Sequence, residues 1–252
     1  MTETLFALHV GNKLVGISSY CDYPSVVEDF PKVGGLKVDV ETLLQLKPDL
    51  ILGLSSLNKN IVSDLRRLGF SVFLQRAQTI QEVLDNIQEL GALFERQSIA
   101  DSIVISFKAR EKKIHSMVKA IPLEERPKVF LEHYPGLYTA GVGTFLHELI
   151  IRAGGTNIAS DIQGWGRLNE EAILVQNPDV ILYTRSEDPK QQNVLKEVIE
   201  SRKHWHHLKA FQTKKVRGIH QDKVSRAGPR LIQGLEEIHH ILYLESYEAE
   251  KL

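Results

Sequence analysis

Apolar residues fall along this chain in two patterns, short continuous runs and stripes that recur every three or four positions. Segments at 14–18, 50–53, 71–74, 129–132, 180–183 and 215–219, each separated by helical stretches, predict strands, and Leu50-Ile51-Leu52 and Val180-Ile181-Leu182 are continuous apolar runs of the kind a sheet covered on both faces carries. The stripes predict helices. Residues 79–94 open with Thr79-Ile80-Gln81-Glu82, a capping box in which hydroxyl and carboxylate satisfy free backbone donors. Residues 98–121 contain no Gly or Pro, and Ile99, Ile103, Phe107, Ile114, Met117, Val118 and Ile121 fall mostly on one helical face. That predicts a single amphipathic helix of about 36 Å, closed by Pro122 and Pro127.

The pattern also repeats. Glu41-Thr42-Leu43-Leu44-Gln45-Leu46-Lys47-Pro48-Asp49-Leu50-Ile51-Leu52 matches Glu171-Ala172-Ile173-Leu174-Val175-Gln176-Asn177-Pro178-Asp179-Val180-Ile181-Leu182 at a constant offset of 130 residues. Both copies read as a short helix, a Pro-Asp stop and a buried strand, because proline keeps the preceding residue out of helical angles and cannot donate to a ladder. A Gly-Gly pair precedes each copy, at Gly34-Gly35 and Gly154-Gly155. The expected fold is therefore α/β: two lobes, 1–97 and 122–252, each with a central parallel sheet flanked by helices and joined by the 98–121 helix. Ligands of open α/β sheets bind beyond the carboxyl ends of the strands. The candidates so placed are Ser19 and Tyr20, Ser55 and Ser56, Arg76, His133 and Tyr134, Thr184 and Arg185, and His220 to Asp222. Aromatics mixed with arginines suit a large, flat, partly anionic ligand.

Composition narrows the partners. With 31 Lys plus Arg against 32 Asp plus Glu the net charge is −1, so no positive field gathers nucleic acid or anionic lipid. The single cysteine, Cys21, excludes an intrachain disulfide. No apolar stretch reaches the roughly 18 residues that span a bilayer, and no basic segment followed by an apolar core marks an export signal near Met1.

Several segments together resemble the iron-chelate and cobalamin class of periplasmic substrate-binding proteins. They are TETLFALHVG at 2–11, VGISSYCDYP at 15–24, 33–49, YTAGVGTFLHELIIRAGGTN at 138–157, 171–182 and VSRAGPRLIQG at 224–234. The run Ser18-Ser19-Tyr20-Cys21-Asp22-Tyr23-Pro24 is similar to members that bind cobalamin. The resemblance implies a monomeric, non-enzymatic receptor that presents a metal chelate, a cobalt corrinoid or an iron complex, to the permease of an ABC importer. It would work in the periplasm or anchored at the cell surface, and the metal would be cargo rather than a resident cofactor. It brings the loop around Tyr20, the segment after Leu52, the 134–138 region, the Gly164-Trp165-Gly166 loop and the loop 220–226 to the ligand. Trp165 is the foremost stacking candidate, and Arg76, Arg185 and Arg226 are the candidate partners for ligand carboxylates or amides.

Two departures from the class stand out. Members carry a strand and a Pro-Ser turn ahead of the segment matching Met1-Thr2-Glu3, so the first lobe is expected to lack its first strand and the natural start to lie upstream. Members also present an acidic residue on each lobe to the permease. The second lobe offers Glu187, Asp188 and Glu197, whereas the first has Lys59 and Asn60 there, with Asp64 one turn on.

Other chemistries find less support. His204, His206 and His207 cluster around Trp205, but no His-Glu-x-x-His or Cys-x-x-Cys accompanies them. The class resemblance instead turns Trp205 and Leu208 inward. Bare haem iron would need an axial ligand, for which Tyr20, His133, Tyr134 or His220 could serve. Neither Gly-x-Ser-x-Gly nor a phosphate loop occurs. A hydrolase using Ser55 or Ser56 then rests on fold analogy alone, and a receptor that only senses its ligand shares every feature above.

Overall fold

The computed structural model describes residues 1–35, 37–55, 61–186 and 193–243. It divides into two compact units, Met1–Ile105 with Ala227–Pro229, and Ser106–Arg226 with the chain from Arg230 on.

The first unit runs α1 (Thr2–Ala7), α2 (Val40–Leu46), β1 (Ile51–Leu54), α3 (Val62–Arg67), β2 (Val72–Gln75) and α4 (Ile80–Leu93). It then enters α5 (Gln97–Val118), and the division between units falls inside that helix. β1 and β2 pair in parallel, Ile51 opposite Val72. α4 is fixed at its start by the capping box: Glu82 N–H donates to Thr79 Oγ1 at 3.1 Å, and the Glu82 carboxylate accepts from Thr79 and Gln78 N–H. Its inner face buries Ile80, Val83, Leu84, Ile87 and Leu90.

The second unit continues with β3 (Lys128–Glu132), β4 (Tyr138–Ala140), α6 (Phe145–Arg152), β5 (Thr156–Asn157), β6 (Trp165–Arg167) and α7 (Glu170–Gln176). β7 (Val180–Arg185), α8 (Val194–Glu200), α9 (Lys209–Gln212), β8 (Val216–His220), α10 (Gln221–Ser225) and α11 (Leu231–Tyr243) complete it. The parallel sheet has the order β5-β3-β7-β8, and β4 pairs with β6 antiparallel. One side of the sheet packs Phe130, Ile173, Ile181, Leu195, Ile199 and Leu208 around Trp205, which is fully buried. The Trp205 ring meets Phe130 edge-on at 5.9 Å and donates its Nε1–H to Glu170 Oε1 at 3.0 Å. That hydrogen bond lets a polar ring serve as a core side chain.

The sequence repeat is a structural repeat. Asp39 caps α2 by accepting the Thr42 N–H, and 130 positions later Asn169 caps α7 by accepting the Ala172 N–H. Both helices end on a left-handed residue, Lys47 (φ 46°) and Asn177 (φ 46°), before Pro-Asp and the strand. Beyond the repeat the register also agrees, since Ile181 faces Val216 as Ile51 faces Val72.

Two predicted elements need correction, and three short strands were not predicted. Residues 14–18 do not form a strand: Ile17 makes one isolated parallel bridge to Lys32, and Val15 is exposed, so the apolar run has no ladder to extend. The long helix ends at Val118 rather than 121 because Pro122 disfavours helical angles at Ile121, leaving turn structure over 119–120. Its buried stripe is Ala100, Val104, Phe107, Ile114 and Val118, and Met117 is exposed. The strands β4, β5 and β6 were absent from the hydrophobic pattern, being only two or three residues long.

Candidate ligand-binding site

At the carboxyl ends of β3, β7 and β8 the second unit gathers three of the expected segments. Register places Glu132 beside Tyr183 and Arg185 beside His220, so His133-Tyr134, Thr184-Arg185 and His220-Gln221-Asp222 leave one edge of the sheet together.

The loop after β3 is tightly pinned. The His133 N–H donates to the Tyr138 carbonyl at 2.7 Å, and the His133 carbonyl accepts the Thr184 hydroxyl at 2.6 Å. Gly136 (φ 89°) and Leu137 (φ 63°) both take left-handed backbone. For a leucine that conformation costs about 1–2 kcal/mol. It is met by a hydrogen bond from the Leu137 N–H to the carboxylate of Glu132 at 3.0 Å. Such charge-assisted bonds contribute about 1.5–3 kcal/mol. Glu132 is fully buried and receives both terminal nitrogens of Arg202, at 2.6 and 2.7 Å. The Arg202 guanidinium lies 4.3 Å from the centre of the Trp205 ring.

This loop delivers an aromatic cluster. Tyr138 on β4 lies opposite Arg167, two residues beyond Trp165, so Tyr138 and Trp165 share one face as diagonal neighbours. Their rings stack at 5.9 Å with an 8° interplanar angle. His133 sits 4.9 Å from Trp165 and 4.4 Å from Tyr134, whose ring is 6.2 Å from Tyr138. Trp165 and Tyr134 remain 39% and 49% exposed, which leaves apolar rings open to a ligand rather than closed into core. Gly164 (φ 72°) makes the turn that admits the indole.

Beneath these exposed rings His133 is buried, and burial pushes its pKa down to about 4. It is therefore an uncharged imidazole at neutral pH, with an Nδ1 that has no hydrogen-bond partner among the described residues. Gln221 donates to the Tyr134 hydroxyl at 3.2 Å, and His220 caps α10 by accepting the Asp222 N–H at 3.2 Å.

Two of the three candidate arginines, Arg226 and Arg76, are engaged by carboxylates. Arg226 pairs with Asp222 at 2.7 Å, and Arg230 shares the same carboxylate at 3.4 Å. Arg185 is exposed at the end of β7. In the first unit, exposed Arg76 donates to Gln78 and pairs with Glu82 at 3.4 Å, so it braces the start of α4. Tyr20, 60% exposed, lays its ring against Gly35, where a Cβ would come within 2.7 Å of it. Ser19 is exposed beside it, and Ser55 directly follows β1. Ser56 lies outside the described residues, as do Lys59, Asn60, Glu187 and Asp188. Glu197 is exposed in the first turn of α8, while Asp64 in α3 is paired with Arg67. His204, His206 and His207 are exposed, and Trp205 and Leu208 are buried. Among the described residues no three His, Cys, Asp or Glu side chains are grouped to hold a metal ion.

Sequence reasoning passed over Glu132 and Arg202. A carboxylate closing the run Val129-Phe130-Leu131 was a signal that a buried charge needed a partner. Nothing in the sequence pointed 70 positions on to Arg202.

A family model described as periplasmic binding protein matches residues 1–223, most of the chain. The chain belongs to the periplasmic binding protein family. An uncharacterised ABC transporter substrate-binding lipoprotein of Bacillus subtilis (strain 168), YvrC, is 33% identical over 98% of this chain and 78% of its own length. The crystal structure of the periplasmic vitamin B12 binding protein BtuF of Vibrio cholerae is similar with a TM-score of 0.80 at 25% identity, covering 97% of this chain and 94% of that one. A possible iron-binding periplasmic solute-binding protein of Staphylococcus epidermidis ATCC 12228 gives a TM-score of 0.79 at 29% identity, over 96% and 95% of the two chains. The expected architecture, parallel sheets flanked by helices, is that of this family.

Proposed function

We propose that this chain is the substrate-binding component of an ABC importer, that it is not an enzyme, and that its cargo is a cobalamin-like corrinoid. The observation that carries the reading is the stacked, partly exposed Tyr138–Trp165 pair with Tyr134 beside it. A flat macrocycle is held by aromatic faces, and a few convergent polar groups then fix its orientation. Arg185, His220, Gln221 and Arg226 are those groups in the second unit. In the first unit, Tyr20 is a candidate stacking residue and Ser55 and Arg76 are candidate polar contacts. Arg226 and Arg76 would share their charge with Asp222 and Glu82.

The protein would act as a monomer in the periplasm or anchored at the cell surface. Glu187, Asp188 and Glu197 would face basic residues of the permease. Its family membership and the vitamin B12-binding relative support this role.

A ferric chelate or haem is the second reading, favoured by the uncharged imidazole of His133 and the phenol of Tyr134 side by side. Both are ligands of ferric iron.

Fluorescence titration with cyanocobalamin, hemin and a ferric siderophore panel, corrected for absorption, tests the two. Saturable quenching by cyanocobalamin that weakens about tenfold or more in Trp165→Ala is expected. Binding of hemin or a siderophore with none of cyanocobalamin would replace the cargo.

A further inference from the structure

We infer that the pair of buried Glu132 and partly buried Arg202 is the positioning device for the aromatic face. Glu132 is a positioning residue that shapes the ligand surface through backbone, without itself touching ligand.

The geometry points in one direction. Glu132 ends β3 with no exposed surface, and Arg202 occupies both its oxygens, so the carboxylate cannot turn toward solvent or cargo. The oxygen Oε1 also takes the Leu137 N–H. That bond holds Leu137 in left-handed backbone directly before Tyr138, the residue that stacks on Trp165. Arg202 is held in turn by the face of Trp205, whose indole N–H is taken by Glu170. A continuous series of fixed contacts therefore runs from the core at Trp205 to the exposed ring of Trp165. A neutral amide at position 132 would still accept the Leu137 N–H, but it would leave the partly buried Arg202 charge without its counter-charge. The loop 133–137 would then relax, and Tyr138 with it.

Two readouts separate this inference from the cargo reading on which its affinity arm rests. The first is the near-ultraviolet circular dichroism of ligand-free protein, with Trp165→Phe used to identify the band of the stacked pair. The second is the affinity for cyanocobalamin and hemin. Glu132→Gln, folded by far-ultraviolet dichroism, is expected to lose most of that band and to weaken whichever probe binds by roughly tenfold or more. Arg202→Lys keeps the charge but not the fork, and is expected to show the same loss to a smaller degree. It decides the matter alone where Glu132→Gln does not fold.

A folded variant with the wild-type band and affinity would overturn the inference. So would a band that stays intact up to a lowered unfolding midpoint, since that describes stability without positioning. Loss of the band in a protein whose wild type binds neither probe would support the positioning role while removing the cargo reading.

Discussion

Ile51 sits in a four-residue strand paired with β2 and is only partly covered, while Ile181, its counterpart 130 positions on, sits in a six-residue strand between β3 and β8 and is fully buried. The two segments share sequence grammar, caps and register. They differ in neighbours, because β7 has a paired strand on each side and β1, among the described residues, has one in its sheet. Local sequence decides what an element is, and the surrounding sheet decides how much it stabilises. The exposed aromatic face was built on the copy with the deeper support. Its loop carries left-handed backbone at Leu137, which a firmly packed β3 and β7 can hold.

The comparison breaks most visibly by truncation of the paired isoleucines. Ile181→Ala is expected to cost about 3–4 kcal/mol and Ile51→Ala about 1–2, from transfer and cavity terms. Urea unfolding of both variants checks the ratio, and equal costs would mean that the extra strand neighbours add nothing.

The difference sharpens with pH. Burial lowers the His133 pKa to about 4, so the unfolded chain binds a proton there that the folded chain does not as pH falls from the ordinary value near 6.5. Stability is therefore full above about pH 7 and is lost through the window down to about 4, by on the order of 3 kcal/mol in total. His147, also lowered by burial, tilts the curve the same way. Unfolding midpoints across that window should fall with pH in the wild type, and much less in His133→Gln.

Much of this architecture was legible in the sequence. The capping box, the Pro-Asp stops and the apolar strands are local signals, and apart from 14–18, which forms no strand, each is found within a residue or two of where it was expected. The aromatic cluster was half legible. Tyr134 and Trp165 stood out as large rings at strand ends and between glycines. Their stacking partner Tyr138 depends on a three-residue antiparallel pairing across 24 intervening residues, which no periodicity marks. The engagement of Arg76 by Glu82 and of Arg226 by Asp222 was equally hidden, since an arginine's partner is chosen by the fold.

The smallest expected effect concerns the matching left-handed caps. Lys47→Gly relieves a side chain in left-handed backbone and should stabilise by about 0.5–1 kcal/mol. Asn177→Gly should gain nothing, because asparagine tolerates that conformation and its Oδ1 accepts the Lys209 N–H at 2.9 Å. Thermal unfolding of the two variants should therefore differ in sign or nearly so.

The most direct test of the central claim, that cargo is held on the Tyr134–Tyr138–Trp165 face, is hydrogen exchange of the protein with and without saturating cyanocobalamin. Slowed exchange over 133–138 and 164–167 is predicted. Saturation of the protein with exchange in those two segments unchanged would contradict it.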